Sequence, residues 1–283
     1  MQTTALSVNI NKVALLRNSR HLSIPDVARA ARVCLDAGAQ GVTVHPRPDE
    51  RHIRGTDVYL IAEVFRNFAH EYEGERHHGF NPEFNPEFNM EGNPFDANGR
   101  FLELVREIRP AQCTLVPDSP DQATSDHGFD VDADGQRLRP IIALLRDQGI
   151  RVSVFMDADN LTGIRALAEL GTDRIELYTE PYAAAFERAK LARPDSPEHA
   201  AARDAFEKTL KQFTAAAVVA NEVGLDVNAG HDLNLENLPR FLREVPGVLE
   251  VSIGHALIGE AIFRGLTRTV QDYLAAINTA NDL

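Results

Sequence analysis

Tryptophan is missing from this chain of 283 residues, and cysteine, methionine and lysine are scarce. Without tryptophan the core has to be aliphatic, supplemented by 14 phenylalanines. The two cysteines, Cys34 and Cys113, stand far apart and fit no metal or disulfide spacing, so they read as buried free thiols. There are four lysines. A Schiff-base mechanism of the class I aldolase kind needs a lysine at a strand end, and Lys12 alone is near one. No His-x-His lies on the first strand and no His-Glu-x-x-His occurs, so metal-dependent hydrolysis fits poorly and no metal is expected. No apolar run approaches the length of a membrane span. The opening residues lack a basic stretch followed by an apolar one, so no signal peptide is expected and a cytoplasmic protein is the default. Basic residues are outnumbered, 29 against 42 acidic, giving a formal net charge of −13. That balance argues against nucleic acid or an anionic membrane as the partner. Small anionic substrates need only a local cluster of positive groups.

What is present is an alternation. Strand-like runs fall at 5–10, 41–45, 87–91, 113–116, 151–156, 174–178, 226–229 and 249–253. Segments of helical period follow them: after Pro25 up to Gly38, then 58–68, 101–108, 138–147, 161–170, 182–223 with a break at Pro194 and Pro197, 235–245 and 258–277. No series of hairpins interrupts the pattern. Strands alternating with helices mean a parallel sheet, and eight repeats in this length predict a closed (β/α)8 TIM barrel forming a single domain over 1–283. Residues 70–90 read mostly as an inserted surface loop after the helix that follows the second strand. They hold a tandem Asn-Pro-Glu-Phe at 81–84 and 85–88, beside His77 and His78. The polar stretch 118–135 is long for a strand-to-helix connection and is either a mobile lid or a harmless excursion.

Polar residues stand at the ends of these strands: Asn9 or Asn11, His45, Glu91, Asp157, Glu176, His231 and His255. In a barrel those ends converge on one face, where active sites sit. His45, Glu91 and His231 are suited to proton transfer, because histidine titrates near neutral pH and a shielded carboxyl can be tuned towards it. Glu176, inside an apolar run, is expected to point into the lumen. There it either stabilises a cationic intermediate or pairs with an arginine in the core. Gly254 and His255 follow the eighth strand and open a helix, whose free N–H groups suit phosphate; tight packing is the other reading of the glycine. Arg17, Arg20, Arg47 and His52 suggest a second anion site near the first two strands. Two anion sites imply two phosphorylated substrates or one bisphosphate. A Schiff-base enzyme using Lys12 and a non-catalytic binder of phosphorylated metabolites remain as alternatives.

The chain resembles the pyridoxine 5′-phosphate synthase family over nearly its whole length outside the insertion. The resemblance rests on Val8-Asn9-Ile10 with Leu16-Arg17-Asn18-Ser19-Arg20, on 41–53, on Leu115-Val116-Pro117 and on Ile175-Glu176-Leu177. It continues in Val227-Asn228-Ala229-Gly230-His231 and in 253–259. It implies a cofactor-free condensation of 1-deoxy-D-xylulose 5-phosphate with 3-amino-2-oxopropyl phosphate to pyridoxine 5′-phosphate, phosphate and water. It further implies His45 and Glu91 as proton acceptors, His231 as proton donor and Glu176 as a transition-state stabiliser. Asn9, Arg20, Asp232, Gly254 and His255 would hold the amino-ketone phosphate. Asn11, Lys12, Arg47, His52 and Thr124 would hold the pentulose phosphate. A cytoplasmic homo-octamer, with extra helices mediating assembly, is also implied. The chain departs from the family pattern in three places: Asn11-Lys12 where Asp-His is frequent, Met90 and Gly92 around Glu91, and Asp232 where glycine is common.

Overall fold

The structure is a computed structural model that describes residues 4–75, 84–96, 100–119, 122 and 124–281. Eight parallel strands close into a barrel in sequence order. They are β1 (Ala5–Asn9), β2 (Gly41–Val44), β3 (Glu87–Gly92), β4 (Gln112–Leu115), β5 (Arg151–Met156), β6 (Arg174–Leu177), β7 (Asp226–His231) and β8 (Val248–Ile253). Eleven helices surround them among the described residues: α1 (Asn11–Asn18), α2 (Val27–Asp36), α3 (Gly55–Glu75), α4 (Arg100–Ile108), α5 (Val131–Asp147), α6 (Leu161–Leu170), α7 (Glu180–Leu191), α8 (Pro197–Glu222), α9 (Leu238–Glu244), α10 (His255–Arg264) and α11 (Leu266–Asn281). This is the (β/α)8 barrel that the alternation predicts. No helix of the described residues is long and apolar enough to cross a membrane.

Strict alternation along each strand decides where the core sits. Leu6 and Val8, Val42 and Val44, Phe88 and Met90, Val152 and Val154, and Val251 and Ile253 belong to one hydrophobic cluster with the helices. Their sequence neighbours point the other way, into the lumen, because successive strand residues face opposite sides. Those neighbours are polar: Ser7 and Asn9, Thr43, Asn89 and Glu91, Gln112 and Thr114, Ser153, Glu176, Asn228, Glu250 and Ser252 are all buried. Most barrels fill this space with branched aliphatics. Here the lumen is hydrogen-bonded instead. Ser7 Oγ lies 2.7 Å from Thr43 Oγ1, Thr114 Oγ1 donates to Glu176 Oε2 at 3.1 Å, and Asn228 Nδ2 donates to Gln112 Oε1 at 3.1 Å. Lower down, Asn89 Nδ2 donates to Glu250 Oε1 at 3.1 Å. Burial drives the Glu250 carboxyl up to about 7, against the pull of Arg174. Cys34 and Cys113 are buried free thiols, the former pushed up to about 12 by burial.

Several boundaries differ from the sequence reading, each for a local reason. Helix α1 is missing from that reading, because Leu15 and Leu16 face solvent and mask the buried stripe of Val13, Ala14 and Arg17. Helix α3 runs to Glu75, well into the expected surface loop, since no proline occurs before Pro82 to end it. His77, His78 and the Asn-Pro-Glu of 81–83 lie outside the described residues. Helix α5 begins at Val131, where the Asp130 side chain accepts from the Asp132 and Ala133 N–H groups. The stretch 258–277 is two helices rather than one. Gly265, at φ 82°, takes a left-handed conformation that a helix cannot continue through. The long region after β6 divides into α7 and α8 around Pro194 and Pro197, as expected. There Tyr182, Phe206, Phe213 and Phe241 form an aromatic cluster with ring centroids 5.0 to 6.0 Å apart.

Arg17 belongs to this framework and not to an anion site. Its Nη1 and Nη2 atoms hold the Asp57 carboxylate at 2.5 and 2.9 Å, and Nη2 also donates to the His52 carbonyl at 3.1 Å. The fork thus ties α1 to the start of α3 and to the loop after β2. Both partners are buried. Asp57→Ala leaves an uncompensated guanidinium, and we expect it to lower stability by about 3–5 kcal/mol in urea denaturation. A loss below about 1 kcal/mol, the size of an exposed pair, would show the fork to be dispensable.

Candidate active site

At the C-terminal face of the barrel lies a cavity of about 310 Å³. Its walls include Asn9, Asn11, Lys12, His45, Arg47, His52, Glu91, Thr124, His231, Asp232, Gly254 and His255, all singled out in the sequence. Three further expected residues are elsewhere. Glu176 sits directly beneath the cavity, behind His231. Arg20 is exposed just past α1 and is not part of the wall, so the structure does not bring it to the site. Asp157 does not face the cavity either; its carboxylate accepts the Gly128 N–H at 3.1 Å and anchors the loop that carries Thr124. Asp118 and Ser125 line the cavity without having been picked out. Asp118 had a legible signal: it follows the end of β4, as the other site residues follow theirs.

Each polar side chain is held by a neighbouring strand end. The Asn9 amide donates from Nδ2 to Glu91 Oε1 at 2.9 Å and accepts the Asn11 N–H through Oδ1 at 3.1 Å. Asn11 Oδ1 in turn accepts the His45 N–H at 2.9 Å. An aspartate at position 11 could make that same contact. The asparagine adds N–H donors in place of a second carboxylate oxygen, which suits an anionic ligand. Gly230 is required because a Cβ there would lie 2.1 Å from the Ser252 carbonyl oxygen. The following residue, His231, takes φ 62°, which costs a non-glycine residue free energy and turns its ring over the lumen.

The titratable groups form one chain. His45 Nδ1 lies 3.6 Å from Glu91 Oε1, which lies 3.2 Å from His231 Nε2. His231 Nδ1 lies 3.2 Å from Glu176 Oε1. Glu91 and Glu176 are each almost wholly buried, so two carboxylates share one imidazole between them. Burial favours a neutral His231, but Glu91 and then Glu176 reverse this and hold it well above the ordinary histidine value. Burial likewise favours a neutral Glu91, yet His231 and then His45 hold it well below the usual carboxylate range. Of the two readings of Glu176, a cation stabiliser or the partner of a core arginine, the second is not seen: its carboxylate lies against His231.

His52 behaves in the opposite way. Burial first, then His45 and Arg47, push it down to about 3, so it is neutral near pH 7. Its Nδ1 accepts the Ile53 N–H at 2.9 Å, which leaves the proton on Nε2. Asp232 is raised by burial, with His231, His255 and Lys12 opposing. A raised carboxyl is less of an obstacle to a neighbouring anion than a fully ionised one. Gly254 caps α10 without a side-chain hydrogen bond, so the first N–H groups of that helix are open to an anion.

Glu91, Glu176 and His231 are also the one group among the described residues whose possible metal-ligand atoms all lie within 4.8 Å of one another. A metal there would have to displace the proton that His231 holds between the two carboxylates.

The charges set a pH window. Because His231 is raised, its contribution to stability is complete below the ordinary histidine value and lost as pH climbs through the raised one. Because Glu91 is lowered, its contribution is complete above the ordinary carboxylate value and lost as pH falls through the depressed one. The pair therefore spans neutral pH. Long-range ¹H–¹⁵N correlation spectra should show His231 doubly protonated at pH 7.5, and Glu91→Gln should return it towards ordinary titration. A neutral His231 ring at that pH in the unaltered protein would disprove the ion pair.

A profile of the family described as "Pyridoxal phosphate biosynthesis protein PdxJ" matches residues 6–279. The chain is 49% identical to pyridoxine 5′-phosphate synthase of Xylella fastidiosa (strain M23) over 285 aligned positions, covering 99% of this chain and 97% of the relative. It is 50% identical to the enzyme of the same name from Xanthomonas campestris pv. campestris (strain B100), covering 97% and 96%. Among solved structures, a tryptophan synthase chain from M. tuberculosis matches with a TM-score of 0.58 at 10% identity, covering 98% of this chain and 93% of that one. The dimeric archaeal Rubisco of Hyperthermus butylicus matches with a TM-score of 0.57 at 10% identity, covering 100% and 61%. These two likenesses speak for the barrel alone. The profile and the close relatives speak for descent, and the chain belongs to the family of the pyridoxal phosphate biosynthesis protein PdxJ.

Proposed function

We propose that this barrel is a pyridoxine 5′-phosphate synthase, condensing 1-deoxy-D-xylulose 5-phosphate with 3-amino-2-oxopropyl phosphate to pyridoxine 5′-phosphate, phosphate and water. The observation that carries the reading is the linked set His45, Glu91, His231 and Glu176 along one cavity wall and its floor. An amine meeting a ketone gives an imine with loss of water, and closing the ring then requires further losses of water and of phosphate. Every one of these steps moves a proton. Glu91, held ionised, and His45 are the acceptors. His231, held protonated, is the donor to the leaving oxygen. Glu176 stabilises the charge on His231 and acts through it. Arg47, Lys12 and the Nε2–H of His52, with Asn11 and Thr124, hold the pentulose phosphate. The open N–H groups of α10 at Gly254 and His255, with Asn9 and Asp232, hold the amino-ketone phosphate. The reaction on this reading needs no cofactor.

The pure protein, given both substrates and no added metal, should release phosphate together with pyridoxine 5′-phosphate. Failure to form product would end the assignment. His45→Ala should lower kcat by about 10²–10⁴-fold while leaving substrate affinity nearly unchanged. Lys12→Ala should instead raise KM for the pentulose phosphate with kcat retained. A collapse of kcat, with a borohydride-trapped adduct on Lys12 in the parent protein, would favour Schiff-base chemistry.

We further propose a cytoplasmic homo-octamer. Two unpaired thiols fit a reducing compartment. Leu22, Ile24, Ile262 and Phe263 are strongly exposed apolar residues. They lie beside α1 and on α10, which pack against each other. Apolar surface of that kind is typical of subunit contacts. Light scattering should give the mass of eight chains, and Phe263→Glu should shift the population to smaller species. A monomer at all concentrations would exclude the assembly.

A further inference from the structure

Asp118 follows Pro117 at the end of β4 and is almost fully buried. Its Oδ2 atom lies 2.7 Å from Arg47 Nη2 and 3.6 Å from His45 Nε2. One oxygen therefore faces both a guanidinium suited to a phosphate and an imidazole suited to proton transfer. The backbone is fixed behind it, since Asn93 Nδ2 donates to the Asp118 carbonyl. Arg47 donates from Nη2 to Asp118 and from Nη1 to the Gln122 carbonyl, each at 2.7 Å. A second cavity of about 460 Å³ shares His45, Arg47 and Asp118 as its wall, so the pair has open space on both sides.

These contacts have an electrostatic consequence. A buried carboxylate needs a compensating partner. If a phosphate takes the guanidinium, Asp118 has to share Arg47 with a second anion. The nearest remaining ionisable group is His45, whose Nε2 lies 3.6 Å away.

We propose that Asp118 is a positioning residue that couples occupancy of the Arg47 anion subsite to proton transfer at His45. The proposal rests on the synthase reading above. Before the pentulose phosphate arrives, Asp118 is the counter-ion of Arg47. Once the pentulose phosphate supplies that negative charge, Oδ2 closes on His45 Nε2 and fixes the orientation and tautomer of the ring. It then balances the imidazolium formed when His45 takes a proton from substrate, as an aspartate does behind a catalytic histidine. The proton remains on His45, and Asp118 stays a carboxylate throughout. His45 is thus poised as a base only after the sugar phosphate is seated.

Asp118→Asn and Asp118→Glu test this against the unaltered protein, by steady-state kinetics and by calorimetric binding of 1-deoxy-D-xylulose 5-phosphate alone. Asp118→Asn should lower kcat by about 10²-fold, at the lower edge of general acid–base contributions. It should bind the pentulose phosphate at least as tightly as the parent, because Arg47 has lost its competing anion. Asp118→Glu should recover kcat to within about tenfold of the parent. A kcat for Asp118→Asn within about twofold of the parent overturns the proposal. So does a loss of pentulose-phosphate affinity that accounts for the whole loss of rate, since Asp118 would then only hold Arg47 in place. An inactive parent protein removes the synthase reading itself; an active parent with an unaffected Asp118→Asn removes the role of Asp118 alone.

Discussion

A carboxylate buried almost completely at the centre of a barrel has to find its cation nearby, and Glu91 finds it in His231. That requirement organises the site. One oxygen of Glu91 accepts from Asn9, pairs with His231 and faces His45. Three different strands, β1, β7 and the end of β2, are thereby referred to a single atom on β3. The imidazolium needs a second negative group to offset its own desolvation, which Glu176 supplies from β6. Acid and base are held in opposite protonation states at the same pH because each is the other's neighbour.

Such an arrangement is tolerable only in a lumen that is already polar. A lone charged pair among valines would face the full desolvation cost of two ions. Here the residues below it, from Thr114 and Gln112 to Asn228 and Glu250, continue the hydrogen bonding down the axis. The apolar core has moved outward, to the interface between the strands and the helices. Stability and chemistry are consequently segregated. The outward faces of the strands hold the fold together, and the inward faces are left free to carry charge.

Much of this was legible in the sequence because it depends on period and position. The short β-branched runs at 41–45 and 151–156 bounded by turn residues announce strands, and a closed barrel gathers their ends on one face whatever else the chain does. That is why the sequence alone brings His45, Glu91 and His231 together. What stayed hidden depends on pairing across space. Arg17 and Arg47 look alike in a sequence; only Asp57, forty positions away, turns the former into a structural fork. Asp118 looks like one acid of a polar loop until the guanidinium of Arg47 meets it across seventy-one positions. Arg20 has the right neighbours in sequence, but it lies exposed after α1 and is not among the residues that line the cavity. The polar lumen was also written in the alternation of strands such as Ser7-Val8-Asn9.

The two thiols bring a practical freedom. Cys34 is sealed among the helices and Cys113 faces outward from β4, both shielded from solvent and with burial opposing the reactive thiolate. A maleimide or spin label therefore has no natural target on the folded chain. A cysteine introduced at Ser125, on the rim of the cavity, would be labelled alone and without first removing the native pair. Distances from that rim to any other point on the barrel then become accessible to fluorescence and paramagnetic probes in the otherwise unaltered protein.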